Sequence, residues 1–197
     1  MKVLLIATKN KGKVREFEDL FAKFGYQVQS LLEMGDSIDV VEDGVTFQEN
    51  AIKKAETIAS EFRIPTLADD SGLIVDALDG RPGVYSARYA GEEKDDQANL
   101  EKVLTELEDV PELERTARFH CSLALAIPGK ETIVVDGTCE GVITREPRGE
   151  HGFGYDPIMY IPSMDKTMAQ LTKQEKNMIS HRSNALKKLQ EQLSEVF

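Results

Sequence analysis

Residues Ala68-Asp69-Asp70-Ser71-Gly72 place two adjacent carboxylates and a glycine directly behind an apolar entry, Ile64 to Leu67. Carboxylates crowded where a strand would end suit a hard cation such as Mg²⁺, which takes one or two of them and leaves its other positions to water and phosphate oxygens. Adjacent side chains on a regular strand point to opposite faces. Both acids therefore reach one ion only if the strand gives way, which Gly72 would permit, or if one acts through water. An acidic turn has the same composition, because Asp and Gly favour turns for conformational reasons.

Other segments offer complementary chemistry. In Thr8-Lys9-Asn10-Lys11-Gly12-Lys13 the N–H groups of a helix start would meet lysines, a recipe for holding phosphate, although the Walker A glycine spacing is missing. A solvated turn is the plainer alternative, but the helix dipole disfavours cations there. Glu42-Asp43-Gly44 is a second acidic loop. Glu49 and Lys53 have the i, i+4 spacing of a surface ion pair, and Lys53 gains interest only if its helix start faces Asp70. His151-Gly152-Phe153-Gly154-Tyr155-Asp156-Pro157 sets flat aromatic surfaces among glycines, where a base could stack or a hydrophobic plug could sit. Lys176, His181 and Arg182 supply donors for carbonyl oxygens, or else a charged first helical turn. No nucleophile elbow accompanies Ser71, which argues against covalent catalysis.

These residues need elements to position them. The spacing predicts a strand at Val3–Ala7, a turn at 8–12, and a helix from Lys13 to Phe24 with Val14, Phe17, Leu20, Phe21 and Phe24 inward and Gly25 as its stop. A strand at 27–32 follows. Thr46 and Glu49 predict a capping box opening a helix to Phe62. A strand at Leu73–Leu78, a turn at 79–83 and a helix over 92–107 come next. From Thr116 the period becomes two, and Pro128-Gly129-Lys130 turns the strand into a partner reaching Ile143, an antiparallel hairpin. Thr172 and Glu175 form a second capping box, and a terminal helix follows Ser180 with Leu186, Leu189, Leu193 and Val196 inward. Strand, turn and helix in succession open an α/β unit.

At 197 residues the chain suits one domain or two lobes sharing a core. Its formal net charge of −11 argues against nucleic-acid polymers, which reward an extended basic face. A small polyanion is different, since a few cations and one Mg²⁺ neutralise it locally. No apolar run is long enough to span a bilayer and no signal-peptide cleavage pattern follows the N-terminus, so a soluble, intracellular (cytoplasmic) protein without membrane partners is expected. Cys121 and Cys139 have no metal-ligand spacing and read as small buried hydrophobes.

Taken together, six ordered segments resemble the inosine/xanthosine triphosphate pyrophosphatase family across nearly the whole chain. They are Thr8 to Lys13, Glu49-Asn50-Ala51-x-x-Lys54-Ala55, Ala68 to Leu73, Pro82 to Gly91, Gly152 to Pro157 and Ser180-His181-Arg182. The resemblance implies a mixed α/β fold, an elongated central sheet flanked by helices, with a single domain of two lobes around a nucleotide-binding cleft, usually as a homodimer. It implies Mg²⁺-dependent hydrolysis of ITP, dITP and XTP to the monophosphate and pyrophosphate. On that likeness Asp70 is the base and a metal ligand, with Glu42 and Asp69 as further metal-side carboxylates. Thr8, Lys9, Asn10, Lys11, Gly12 and Lys13, with Lys53 and Ser71, would hold the triphosphate. Phe153 would stack on the base, within the loop of Gly154 and Tyr155; Lys176, His181 and Arg182 would donate to the 6-keto oxygen, and Asp156 would accept from the ring. Adenine presents a donor there, so ATP would leave these donors unsatisfied. A pyrophosphatase for modified pyrimidine nucleotides and a non-catalytic nucleotide sensor are the alternatives.

Overall fold

Apolar side chains run along both faces of β1 (Lys2–Ile6), so this strand must be covered on both sides, and it is. The computed structural model describes residues 2–21, 26–33 and 39–196. Seven strands form a mixed sheet in the order β2-β1-β3-β4-β5-β6-β7. They are β1, β2 (Tyr26–Ser30), β3 (Thr66–Val75), β4 (Thr116–Ala126), β5 (Ile133–Ile143), β6 (Met159–Ile161) and β7 (Lys166–Thr167). β1 pairs parallel with β2 and β3, whereas β6 pairs antiparallel with β5 and β7. The helices are α1 (Lys11–Phe21), α2 (Phe47–Phe62), α3 (Asp96–Glu106), α4 (Lys173–Ile179) and α5 (His181–Val196). The expected mixed α/β sheet is therefore present.

The chain divides into two compact units: Met1–Asp70 with Cys121–Gly137 and Arg182–Phe197, and Ser71–His120 with Thr138–His181. In the first unit two apolar layers sandwich the strands. Leu4, Ile6, Leu67, Cys121 and Leu123 pack with Phe17 and Phe21 of α1 and Ala185, Leu186 and Leu189 of α5. Leu5, Ala7, Ala68, Ala124 and Ala126 pack with Ala51, Ala55 and Ile58 of α2. Odd and even strand positions thus face different helices, as the period of two demands. The second unit has its own core around Leu73, Val75, Leu100, Val103, Phe119, Ile143 and Ile158.

Several boundaries differ from the sequence expectation. α1 begins at Lys11 rather than Lys13, because the Asn10 side-chain oxygen accepts the N–H groups of Gly12 and Lys13 at 2.9 and 3.1 Å and caps the helix earlier. Phe24 and Gly25 lie outside the described residues, as do the side chains of Leu20, Leu193 and Val196. Thr46 caps α2, but Glu49 turns its carboxylate to the Val45 N–H instead of completing the box. The Thr172–Glu175 box is complete.

Candidate active site

Each unit carries one set of chemistry-bearing side chains, and the first unit's set is built on β3. The expected break at Gly72 does not occur: Thr66 to Val75 is one strand. Burial of Leu73 and the bond from its N–H to Ser86 Oγ at 2.9 Å hold the backbone extended past the glycine. Asp69 therefore shares the face of Leu67, toward α1 and α5, and Asp70 shares the face of Ala68, toward α2.

Asp69 is 1% exposed. Its Oδ2 lies 3.0 Å from Lys13 Nζ and 3.4 Å from Arg182 Nε, and Arg182 Nη1 in turn donates to Glu16 at 2.5 Å. Burial opposes its charge, yet Lys13, Arg182 and Lys54 outweigh burial and hold the Asp69 carboxyl far below the usual carboxylate range. Arg182, fully buried, is held above its ordinary value by Glu16 and Asp69 despite desolvation. Four side chains thus form an ionic lock between α1, β3 and α5.

Asp70 is different. Its Oδ2 accepts the Asn50 amide at 3.0 Å, and burial, reinforced by the charge of Glu42, pushes its carboxyl up to about 6 against the pull of Lys54 and Lys13. Lys54 donates to Glu42 Oε1 at 2.6 Å and to the Asp69 carbonyl at 2.7 Å. These carboxylates raise the Lys54 ammonium above its usual value although it is buried, and Lys54 keeps Glu42 below its own, overriding desolvation. The lysine at this place is Lys54, whereas Lys53 makes an exposed pair with Asp43 at 2.6 Å. Helical periodicity explains the difference: Asn50, Ala51, Lys54, Ala55 and Ile58 form the buried stripe of α2, and position 53 falls beside it.

A hard divalent ion fits the α2 side of β3. Glu42 and Asp70 offer oxygen donors, Asp70 feels the charge of Glu42, and Asp70 is a buried carboxylate whose ionised form gains from added positive charge. Among the described residues no three His, Cys, Asp or Glu side chains converge into a closed cage. An ion here would draw its remaining ligands from water and phosphate. Asp69, on the opposite face and engaged with Lys13 and Arg182, needs a rearrangement to join it.

The phosphate-type turn takes a defined form. Thr8 Oγ1 accepts the Asn10 N–H at 3.2 Å, Asn10 caps the helix, and Lys13 points inward to Asp69. Lys9 lies 3.7 Å from Asp39 in an exposed pair, and Lys11 is exposed with Gly12 behind it in the first turn.

In the second unit Asp156 Oδ2 accepts the Phe153 N–H at 3.1 Å and the Lys176 ammonium at 2.7 Å, while that ammonium sits 5.1 Å from the Phe153 ring centre. Gly152 has a φ of +79°, and a Cβ there would fall 2.0 Å from Asp156 Oδ2, so the loop closes on the carboxylate only with glycine. The Gly154 N–H donates to Asp96 at 3.0 Å, and the Tyr155 hydroxyl donates to the Ser86 carbonyl at 2.6 Å. His181 is buried and stacks on Phe119 with ring centres 5.0 Å apart. Ser71 is half-buried in β3. Lys176, Phe153, Gly154, Tyr155, Asp156 and His181 belong to this unit, whereas Arg182 belongs to the other, with Asp69 and Glu16. Sequence reasoning passed over Asn50, Lys54 and Glu16 as site residues. The buried stripe of α2 was the available signal for the first two; Glu16 had none.

The chain resembles known proteins over nearly its whole length. The chain is 66% identical over 189 residues to the dITP/XTP pyrophosphatase of Halalkalibacterium halodurans, covering 96% of this chain and 97% of the relative. It is 59% identical over 189 residues to the dITP/XTP pyrophosphatase of Bacillus subtilis, covering 96% of each. The solved structure of the Staphylococcus aureus Ham1 protein superposes with a TM-score of 0.87 at 47% identity, covering all of both chains. That of a HAM1 protein from Coxiella burnetii gives 0.87 at 43% identity over 99% of this chain and 100% of that one. With the Ham1 family profile matching residues 4–192, the chain belongs to the Ham1 family.

Proposed function

We propose that this protein is a nucleoside triphosphate pyrophosphatase that hydrolyses deaminated purine nucleotides, ITP, dITP and XTP, to the monophosphate and pyrophosphate, and so cleanses the nucleotide pool. The observation that carries the reading is the division between two adjacent buried carboxylates. Asp69 is locked as an anion by Lys13 and Arg182, and Asp70 is held near 6, where a carboxylate can accept a proton at physiological pH. Hydrolysis at the α-phosphorus needs a group that positions and deprotonates water, and cations for the departing pyrophosphate. Asp70 suits the first role. Thr8, Asn10, Lys13 and Lys54, with Ser71, suit the second, and Lys9, Lys11, Gly12 and Lys53 lie close by in sequence on the same turn and helix. Glu42 and Asp70 would hold Mg²⁺, which supplies charge neutralisation on the phosphates. Asp69 would act by orienting Lys13. Positioning and electrostatics carry the reaction, with no covalent step on the protein.

The base would fall to the second unit's set. Phe153 offers a stacking face with the loop of Gly154 and Tyr155, Lys176 and His181 offer donors to the 6-keto oxygen, and Asp156 offers an acceptor to the ring. Arg182, engaged with Asp69 and Glu16, reaches a base only by leaving that lock. Relatives named dITP/XTP pyrophosphatase support the purine reading. No described helix is long and apolar enough to cross a membrane, and the acidic balance fits a small nucleotide partner rather than a nucleic-acid polymer. A cytoplasmic homodimer completes the proposal. The test is chromatographic: incubation with Mg²⁺ and, separately, ITP, XTP, dTTP, GTP and ATP. IMP and XMP with equimolar pyrophosphate, and little product from ATP, are expected. Diphosphate products, turnover of dTTP alone, or no turnover at all would each overturn the reading.

A further inference from the structure

The side-chain amide of Asn50 joins two parts of the site that the backbone leaves separate. Its Oδ1 accepts the Gly44 N–H at 2.8 Å, and its Nδ2 donates to Asp70 Oδ2 at 3.0 Å. A backbone N–H can only donate and an ionised carboxylate can only accept, so these partners fix which end of the amide faces which. Asn50 is 3% exposed and belongs to the buried stripe of α2, where a polar side chain persists only if it is hydrogen-bonded. Gly44 lies two residues beyond Glu42. A Cβ at Gly44 would fall 2.6 Å from Asn50 Oδ1 and 2.9 Å from Glu49 Cβ, so glycine is what lets the acidic loop close onto the amide. The loop is laced to the start of α2 by two more bonds, Val45 N–H to Glu49 Oε2 at 2.8 Å and Glu49 N–H to Thr46 Oγ1 at 3.1 Å.

Resting on the pyrophosphatase reading of this site, we propose that Asn50 is a positioning residue, an amide spacer that fixes the Glu42 loop and the Asp70 carboxylate in one mutual geometry so that a single divalent cation meets both. A residue that merely filled a buried polar position would alter stability without altering metal affinity. Supporting hydrogen bonds of this kind typically change metal affinity by roughly 10–100-fold.

The test uses Mn²⁺ as the probe, with its dissociation constant read by electron paramagnetic resonance on the full chain without nucleotide, for wild type, Asn50→Ala, Gly44→Ala and the double variant. Each single change should weaken Mn²⁺ binding by about tenfold, and the double variant should be no weaker than the worse single, because both sever one bridge. Unchanged Mn²⁺ affinity in either folded single variant, or losses that multiply in the double, would overturn the inference. Should Asn50→Ala fail to fold, Gly44→Ala decides alone: it leaves Asp70 untouched, so it must weaken Mn²⁺ and lower kcat with little change in nucleotide KM. A wild-type protein that binds Mn²⁺ but cleaves no nucleotide would defeat the pyrophosphatase reading, while the pattern of affinities would still decide the role of Asn50.

Discussion

Asp69→Asn separates the duties of the two adjacent carboxylates. The substitution keeps shape and removes one charge from a lock in which Lys13 Nζ and Arg182 Nε lie 3.0 and 3.4 Å from the same oxygen, with Arg182 itself 3% exposed. The buried Arg182 would then keep its ion pair with Glu16, and the half-buried Lys13 would lose its pair with Asp69. Breaking a buried ion pair by removing one partner costs about 3–5 kcal/mol. For a chain of this size that lowers Tm by roughly 6–20 °C, at about 2–4 °C per kcal/mol. The assay is thermal unfolding followed by circular dichroism, without metal or nucleotide. The pH dependence supplies a second check. A carboxyl held far below its unfolded value stabilises the fold at all pH above that unfolded value, about 3.9, and loses the contribution only as pH falls through the depressed folded value. The gap between wild type and variant should therefore stay constant from mildly alkaline pH down to about pH 5. Unfolding within about 2 °C of wild type, together with loss of Mn²⁺ binding, would refute the reasoning and make Asp69 a metal ligand instead of a counter-ion.

Asp70→Asn should abolish turnover and melt at a higher temperature than wild type at neutral pH. Its carboxyl, raised to about 6, penalises the charged fold by up to about 3 kcal/mol above that pH, a cost that fades as pH falls toward the unfolded value; substantial hydrolysis at saturating Mg²⁺ removes Asp70 from the mechanism. The same shift predicts that the Mg²⁺ concentration for half-maximal activity rises as pH falls below about 6, because protons compete for the carboxylate; Mg²⁺ titrations on either side of that pH check it. Lys54→Ala should lower kcat/KM at least about a hundredfold, because it strips a buried countercharge from Glu42 and Asp69, whereas Lys53→Ala, which loses only an exposed pair, should stay within about twofold. Steady-state kinetics on the two variants distinguish neighbouring lysines directly. Phe153→Ala should raise the KM for ITP by roughly 5–150-fold, the range set by about 1–3 kcal/mol of base stacking, with a smaller effect on kcat.

Much of the site was legible before any coordinates. Residue types and spacing single out Asp70, the lysine-rich turn around Asn10 and the Phe153 loop as candidates, and the ordered segments carry the resemblance to the family; the Asn10 cap, which starts α1 two residues before the expected position, came only with the structure. The periods of two and 3.6 likewise placed β4 and the helices, since an element's buried face is written into its own stretch of sequence. What the sequence could not decide was direction. The unbroken β3 sends Asp69 and Asp70 to opposite layers, so Asp69 pairs with Lys13 and Arg182 while Asp70 meets Asn50 on the α2 side. The apolar stripe of Ala51, Ala55 and Ile58 already sets Lys54 rather than Lys53 on the inward side of α2, but only packing brings that side against Glu42, Asp69 and Asp70. His181 and Arg182, adjacent in the chain, belong to different units, one stacked on Phe119 and the other locked to Asp69 and Glu16. Each of these outcomes rests on which side chains far apart in sequence are buried together. The field at a carboxylate is the sum over those neighbours, and only the tertiary structure assembles them.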